Sequence, residues 1–130
     1  MNDPQPKNKS ILIIENDDGM MRVVQTRLEQ QGYQCVTATT GMKGFSLFSA
    51  GEFDLVITDL NMPNLDGIGL CEKIRKQSKV PIIVMTGFRG SYIAGLSHLD
   101  NLTILDKPFD SQSLIDLVRS EISTKHRRAG

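Results

Sequence analysis

The sequence has no tryptophan, only two cysteines and only two histidines among its 130 residues. Cys35 and Cys71 lie far apart and neither belongs to a short metal-binding motif, so we expect two reduced thiols, as is usual for a cytosolic protein. His98 and His126 are isolated as well, which argues against a histidine-based zinc site. These absences exclude the disulfide-stabilised and zinc-stabilised classes of small domain.

Long apolar segments and an excess of charge of one sign are also missing. The longest strongly apolar stretch, residues 80–85, contains a proline and is far shorter than the ~20 residues that a membrane-spanning helix needs. Residues 1–10 are polar and lack the apolar core of a secretory signal, so we expect a cytoplasmic protein with no membrane partner. Fifteen basic and 15 acidic side chains give a net charge of zero, which argues against wholesale binding of nucleic acid.

Short apolar runs alternate with segments of helical periodicity along a chain of single-domain length. Because parallel strands need crossover connections, this alternation favours an α/β fold, with a parallel sheet covered by helices on both faces. We expect one domain from residue 10 to 123, a flexible leader at 1–9 and a flexible basic tail at 124–130. The expected strands are 11–14, 33–38, 55–58, 82–85 and 102–105.

Four helices are expected where apolar residues recur every three or four positions. A weakly patterned segment at 90–98 is a candidate for a further, short helix. Asp110 or Ser111 is available to cap the last helix. The apolar positions are Met21, Val24 and Leu28; Phe45 and Phe48; Ile68, Cys71 and Ile74; and Leu114, Val118 and Ile122.

Polar side chains follow four of the five expected strands, and the carboxyl ends of parallel strands share one edge of a sheet. Carboxylates there suit Mg²⁺, and a hydroxyl and an ammonium beside the cation suit a phosphoryl group. Asp59 is a candidate nucleophile that would form an acyl phosphate. A simpler interpretation is also open, in which Asp17 or Asp18 only caps the first helix. The residues at this edge are Glu15, Asn16, Asp17, Asp18, Asp59, Thr86 and Lys107.

Several of these residues lie in motifs that resemble the receiver domains of two-component response regulators. The segment at 54–63, with the Asp-Gly pair that follows it, is highly specific, and the resemblance extends over nearly the whole chain. The matching pieces are Ile-Leu-Ile-Ile-Glu-Asn-Asp at 11–17, Asp-Leu-Val-Ile-Thr-Asp-Leu-Asn-Met-Pro at 54–63, Asp-Gly at 66–67, Met-Thr-Gly at 85–87 and Lys-Pro-Phe at 107–109.

The resemblance implies the flavodoxin-like receiver fold, a five-stranded parallel sheet with strand order 2-1-3-4-5. It implies that Asp59 accepts a phosphoryl group from a phosphohistidine of a histidine kinase or phosphotransfer protein. Thr86 would then bond to the phosphoryl group and Lys107 would pair with it. The peptide bond between Lys107 and Pro108 is usually cis in this family.

The resemblance also implies a Mg²⁺ site, and here the sequence departs from the family pattern. The ligands would be Glu15, Asn16, Asp59 and the backbone carbonyl of Asn61. Most receivers have two acidic residues after the first strand, so the neutral Asn16 is expected to weaken Mg²⁺ binding. Asp17 is a further candidate ligand that would partly compensate, because residues 15 and 17 of an extended segment point to the same side.

A second departure concerns the switch that the family couples to phosphorylation. Receivers often have tyrosine or phenylalanine three residues before the lysine, and this ring reorients when the threonine moves. The switch positions here are Thr86 and Ile104. Since an aliphatic side chain lacks the hydroxyl and the flat ring, we expect a different or weaker response on the output face.

The resulting hypothesis is a stand-alone receiver that is not an enzyme in the usual sense, since it catalyses only its own phosphorylation and dephosphorylation. It would signal by protein contact or phosphorelay, bind a downstream protein target, and be a monomer or a phosphorylation-dependent dimer. The alternative, which Asn16 supports, is a degenerate receiver that is never phosphorylated and acts as a constitutive docking module. An aspartyl-phosphate hydrolase is disfavoured, because Asn61 stands where such enzymes need a second carboxylate.

Overall fold

The computed structural model describes residues 9–60, 67–87 and 94–129, with side chains described as far as residue 123. Its elements alternate between strands and helices, as the sequence predicts. The strands are β1 (Ser10–Ile14), β2 (Gln34–Ala38), β3 (Leu55–Asp59), β4 (Ile82–Thr86) and β5 (Leu102–Asp106). The helices are α1 (Asp18–Gln30), α2 (Gly41–Ala50), α3 (Gly67–Gln77) and α4 (Ser111–Ala129), and a short 3-10 helix, Ala94–Leu96, precedes β5.

All five strands are parallel and form one sheet in the order β2-β1-β3-β4-β5. The fold and strand order expected from the sequence are therefore confirmed. The register aligns the carboxyl ends of neighbouring strands, with Asp59 of β3 opposite Met85 and Thr86 of β4 opposite Asp106. The residues that end or follow the strands are consequently brought to one edge of the sheet.

Two apolar clusters cover the two faces of the sheet. β1, β3 and β4 are interior strands, and their apolar residues alternate between the faces, which explains why these strands are continuous apolar runs in the sequence. One cluster lies under α1 and α4 and includes Ile13, Ile57 and Ile83. The other lies under α2 and α3 and includes Leu12 and Val84. Burial of apolar surface on both faces is the main force that fixes the sheet.

The helices α1, α2 and α4 begin at side-chain caps that satisfy backbone N–H groups. The Thr40 hydroxyl accepts from the N–H of Lys43 at 3.1 Å, at the start of α2. Asp110 accepts from the N–H of Ser113 at 2.7 Å, so it is Asp110 that caps α4. The buried residues of α1 and α4 include all of those expected from the helical spacing: Met21, Val24, Leu28, Leu114, Val118 and Ile122.

Two further segments can be set beside the sequence-based expectations. The backbone of α4 remains helical through Ala129, into the stretch expected to be a flexible tail, and residues 123–129 contain no proline or glycine to end it. Within the candidate helix at 90–98, the described part holds only the 3-10 helix at Ala94–Leu96. Gly95 packs closely on α3 there, since a Cβ at this position would lie 2.7 Å from the side chain of Ile68.

The two cysteines lie in the two different core clusters, Cys71 in α3 and Cys35 in β2. Burial, together with the smaller effect of the Glu29 charge, raises the pKa of the Cys35 thiol to about 12. None of the helices in the described ranges is long and apolar enough to cross a membrane.

The edge of the sheet opposite the aligned strand ends is fixed by Arg75 of α3. Its guanidinium donates to the carbonyl oxygens of Ser78 and Val80, both at 2.8 Å, and to that of Asn101 at 3.3 Å. Desolvation lowers the pKa of this half-buried group. Asn101 has a positive φ of 57°, and its side chain donates to the carbonyl of Lys79 at 2.8 Å. Arg75 therefore links the end of α3 to the segments that lead into β4 and β5.

At the carboxyl edge, α3 begins in direct contact with the end of β3. The N–H of Gly67 donates to the carbonyl of Leu60 at 2.9 Å. A Cβ at Gly67 would lie 2.6 Å from both the Cα and the carbonyl oxygen of Leu60, and 2.8 Å from the carbonyl oxygen of Asp59. Because these are backbone atoms, they cannot move aside as a flexible side chain would, so the position requires glycine.

Gly67→Ala is expected to destabilise the protein by about 1–3 kcal/mol, the usual cost of overpacking, although alanine is the better helix former. The matched control is Gly87→Ala, where a Cβ would meet no described atom within 4 Å and the change should stay within about 0.5 kcal/mol. The measurement is urea denaturation of both variants and the wild type. Equal stability of the Gly67→Ala variant and the wild type would contradict the tight contact.

Candidate functional site

Four polar side chains meet at the carboxyl edge of the sheet, each supplied by a different strand. Asp59 and Thr86 are the last residues of β3 and β4, while Glu15 and Lys107 directly follow β1 and β5. Glu15 and Thr86 are completely buried and Asp59 is 6% exposed. Polar groups so deeply buried are unusual unless they are paired, which makes this edge the candidate functional site.

Lys107 pairs with both carboxylates of the site. Its Nζ lies 3.3 Å from Oε1 of Glu15 and 3.5 Å from Oδ2 of Asp59. The backbone N–H of Lys107 donates to the carbonyl of Thr86 at 2.8 Å, and its peptide bond to Pro108 is cis. Two carboxylates therefore share one ammonium, and the three groups together carry one net negative charge when all are ionised.

The pKa of Glu15 is raised above its ordinary value. Desolvation by burial is the largest cause, and the neighbouring Asp59 carboxylate adds to it. The N–H of Asp17, which donates to Oε2 of Glu15 at 3.0 Å, and the Lys107 ammonium act in the opposite direction. Burial and the second carboxylate prevail, so the site disfavours additional negative charge unless a further cation is present.

The loop after β1 places its two remaining polar residues differently from Glu15. Asn16 and Asp17 are both exposed. Asp17 is the N-cap of α1, and its Oδ1 accepts from the N–H of Met20 at 2.9 Å. Asp17 therefore does cap the first helix, while its role as a metal ligand stays a prediction. Asp18 is the first residue of the helix, where a negative charge favours the helix dipole.

Two candidate positions remain, Asn61 and Ile104. Asn61, expected to offer a backbone carbonyl to the metal, lies outside the described residues. Ile104 is half-buried in β5, opposite Val84, and packs against the cluster under α2 and α3. Its side chain therefore continues the apolar face of the sheet.

The donor set fits a hard divalent cation, although it is sparse. Within residues 9–60, 67–87 and 94–123, no group of three or more His, Cys, Asp or Glu side chains could hold a metal by itself. The carboxylates of Glu15 and Asp59 are oxygen donors that lie together around Lys107, and the exposed Asn16 follows Glu15 in the chain. The uncompensated negative charge of the Glu15, Asp59 and Lys107 cluster is the feature that a cation would neutralise.

Sequence reasoning missed Thr58, which lies inside the apolar run that precedes Asp59. Its side chain is completely buried, and its hydroxyl donates to the carbonyl oxygen of Asp59 at 3.0 Å. The sequence did contain one sign of this residue, a single threonine at the end of the apolar run of β3. A buried hydroxyl needs a nearby acceptor, so a threonine at this position indicates a hydrogen bond.

Replacing the buried glutamate by its neutral analogue should change how stability depends on pH. Because the pKa of Glu15 is raised in the folded protein, folding favours its protonated form. The wild type should lose stability as pH rises above the ordinary value of 4.5 toward the folded-state pKa. Urea denaturation in the presence of a chelator should show a stability gain for Glu15→Gln that increases between pH 4.5 and pH 7.5.

The control for this prediction is Glu52→Gln, the same substitution at an exposed position. A constant difference between Glu15→Gln and the wild type across this pH range would show that burial does not raise the pKa of Glu15.

Comparison with known proteins agrees with this geometry. The family model described as the response regulator receiver domain matches residues 11–119. The protein named "Probable transcriptional regulator ycf27" from Cyanophora paradoxa is 36% identical over 115 residues, which cover 86% of this chain and 47% of that protein. Its namesake from Guillardia theta is 36% identical over 130 residues, covering 98% of this chain and 50% of that protein. The chain thus spans about half the length of the curated relatives it matches.

Solved receiver domains superpose on nearly the whole chain. A response regulator receiver domain from Francisella is 28% identical with a TM-score of 0.81, and the match covers 91% of this chain and 99% of that one. A receiver domain protein from Clostridium thermocellum is 27% identical with a TM-score of 0.82, covering 91% and 97%. The strand order, the site at the carboxyl edge and these matches together show that the chain belongs to the response regulator receiver domain family of two-component signalling.

Proposed function

We propose that this receiver domain accepts a phosphoryl group on Asp59 from a phosphohistidine of a histidine kinase or phosphotransfer protein. The observation that carries the proposal is the position of Lys107, whose ammonium lies within 3.5 Å of the Asp59 carboxylate. An ammonium at this position would compensate the charge of a phosphoryl group bonded to Asp59. The domain would catalyse only its own phosphorylation and dephosphorylation.

The transfer itself is a displacement at phosphorus. A carboxylate oxygen of Asp59 attacks the phosphorus atom, the new O–P bond forms, and the P–N bond to the donor imidazole breaks. The imidazole nitrogen leaves with the electron pair of that bond. Thr86 ends the neighbouring strand one residue beyond Met85, which pairs with Asp59. This neighbourhood supports the proposed role of its hydroxyl as a donor to a phosphoryl oxygen.

Glu15, Asn16, Asp59 and the backbone carbonyl of Asn61 are the proposed ligands of Mg²⁺. Receiver domains generally bind this ion at their phosphorylation site. When bound, it would supply the positive charge that the two carboxylates and the phosphoryl oxygens need. Asp17 is the weaker candidate, since its carboxylate already accepts the bond that caps α1.

Partner proteins of the domain follow from the proposed chemistry. Receiver domains interact with histidine kinases and with downstream effectors, and we propose a protein target or a phosphorelay for this chain. The expectations of a stand-alone, cytoplasmic protein that binds no nucleic acid stay predictions, because the matched relatives are named as probable transcriptional regulators and are about twice as long. The monomeric or phosphorylation-dependent dimeric state is equally a proposal.

Ile104 is proposed to set the strength of the output signal. Its aliphatic side chain packs in the apolar cluster under α2 and α3 and has no hydroxyl to exchange partners when Thr86 moves. A coupling that depends on packing alone should be weaker than one that also exchanges a hydrogen bond.

The second candidate function is a docking module that is never phosphorylated. The observation that favours it is the neutral, exposed Asn16 at a position where most receivers have an acid. The intact set of Asp59, Thr86 and Lys107 favours phosphorylation instead.

Phosphorylation is tested with acetyl phosphate and Mg²⁺, and then with phosphorylated histidine kinases or phosphotransfer proteins. The wild type should gain the mass of one phosphoryl group, and Asp59→Ala should gain none. Asp116→Asn, a matched change of an exposed carboxylate on α4, should behave as the wild type. If the wild type shows no mass gain and also no spectral change with beryllofluoride, only the docking function remains.

Mg²⁺ binding is tested by calorimetric titration of the wild type and Asn16→Asp. The added carboxylate should tighten binding by about tenfold, the effect of one charge-assisted contact of roughly 1.4 kcal/mol. Asp18→Asn, a change of an exposed charge at the first residue of α1, serves as the control for general electrostatics. Equal affinities of the wild type and Asn16→Asp would refute the weakening that we attribute to Asn16.

A further inference from the structure

A buried hydroxyl lies directly before the phosphoacceptor in β3. Thr58 is completely buried, and its neighbours in the sheet register are Ile14 of β1 and Val84 of β4, both fully buried and apolar. A hydroxyl in such a layer is costly unless it is hydrogen-bonded. The Thr58 hydroxyl meets this need by donating to the carbonyl oxygen of Asp59 at 3.0 Å.

The backbone at Asp59 lies where the strand pairing changes. Within the described sheet, the register between β1 and β3 ends at the pair Ile14–Thr58, whereas the register between β3 and β4 continues to Asp59 and Met85. The N–H of Leu60 donates to the carbonyl of Met85 at 2.9 Å. Strand pairing therefore holds Asp59 from the side of β4, because the pairing of β3 with β1 ends one residue earlier, at Thr58.

Thr58 supplies a further constraint on the same peptide unit. The Asp59 carbonyl that accepts the Thr58 hydroxyl belongs to the peptide whose N–H is that of Leu60. This peptide is thus bonded at its oxygen by Thr58 and at its nitrogen by Met85. Gly67 contacts it closely from α3. Fixing this peptide restricts the direction in which the Asp59 side chain leaves the backbone.

We propose that Thr58 is a positioning residue, whose hydroxyl holds the Asp59 backbone so that the carboxylate faces the incoming phosphoryl group. The proposal rests on the proposed phosphorylation of Asp59. Small errors in the alignment of reacting atoms have large effects on rate, so the hydroxyl should matter more for phosphorylation than for folding.

The test compares Thr58→Val, which keeps the shape but removes the hydroxyl, with Thr58→Ser, which keeps the hydroxyl. The matched control is Thr103→Val in β5, which removes a hydroxyl bonded at 3.2 Å to Glu121 of α4, on a different strand. Every variant comprises residues 1–130 and is measured in the presence of Mg²⁺. The measurements are the phosphorylation rate with acetyl phosphate, the melting temperature, and the hydrogen-exchange rate of the Leu60 amide.

Thr58→Val should lower the phosphorylation rate by about tenfold, while its melting temperature stays at or above that of the wild type. Thr58→Ser should restore most of the rate, and Thr103→Val should leave it unchanged. The Leu60 amide should exchange faster in Thr58→Val alone. A Thr58→Val rate equal to that of the wild type, or a fall in rate that Thr103→Val shares, would overturn the proposal.

The proposed function can fail separately from the role of Thr58. If the wild type accepts no phosphoryl group, phosphorylation of Asp59 is refuted, and the exchange rate of the Leu60 amide then decides whether Thr58 holds this peptide. Unchanged exchange in Thr58→Val would refute the positioning role even if the wild type is phosphorylated.

Discussion

The ammonium of Lys107, lying between the carboxylates of Glu15 and Asp59, is the interaction on which the site depends. Two carboxylates buried at one edge of a sheet repel each other, and each loses the solvation that water would give it. A single ammonium at 3.3 and 3.5 Å offsets part of this cost, and the raised pKa of Glu15 shows that it does not offset all of it. The remaining negative charge makes the edge receptive to a cation.

The fold brings these groups together through strand register. Sequence separates Glu15 from Lys107 by most of the chain, yet both follow strands that end at the same edge. The interior strands are buried on both faces, so a shift of register would move apolar residues out of two cores at once. The geometry of the site is therefore protected by the hydrophobic core, while the polar groups themselves contribute the chemistry.

Much of this architecture could be predicted because it depends on local patterns. The apolar runs predicted the strands, helical spacing predicted buried residues such as Val24 and Val118, and the parallel sheet predicted that the strand ends share one edge. The pairing of Lys107 with Glu15 is different, since it depends on a distance between residues remote in sequence. Thr58 was missed for a related reason: threonine is common in strands, and its acceptor is visible only in three dimensions.

The short helix before β5 is a feature that the sequence pattern could not specify. Residues 90–98 carry a weak apolar pattern with Gly90 and Gly95, which does not distinguish an α-helix from a 3-10 turn. The close approach of Gly95 to Ile68 is a property of packing against α3. Local helix propensity could not predict this contact, because the contact depends on where α3, an earlier helix in the chain, packs.

The bonds made by Arg75 have a consequence for sequence variation at the opposite edge of the sheet. All three acceptors are main-chain carbonyls, those of Ser78, Val80 and Asn101. A carbonyl is present whatever side chain the residue carries, so these positions can vary without removing an acceptor. Lysine could not reproduce the planar set of donors. The requirement set by these three bonds is therefore concentrated in one side chain, whereas Asn101 is constrained separately by its positive φ and by its side-chain bond to Lys79.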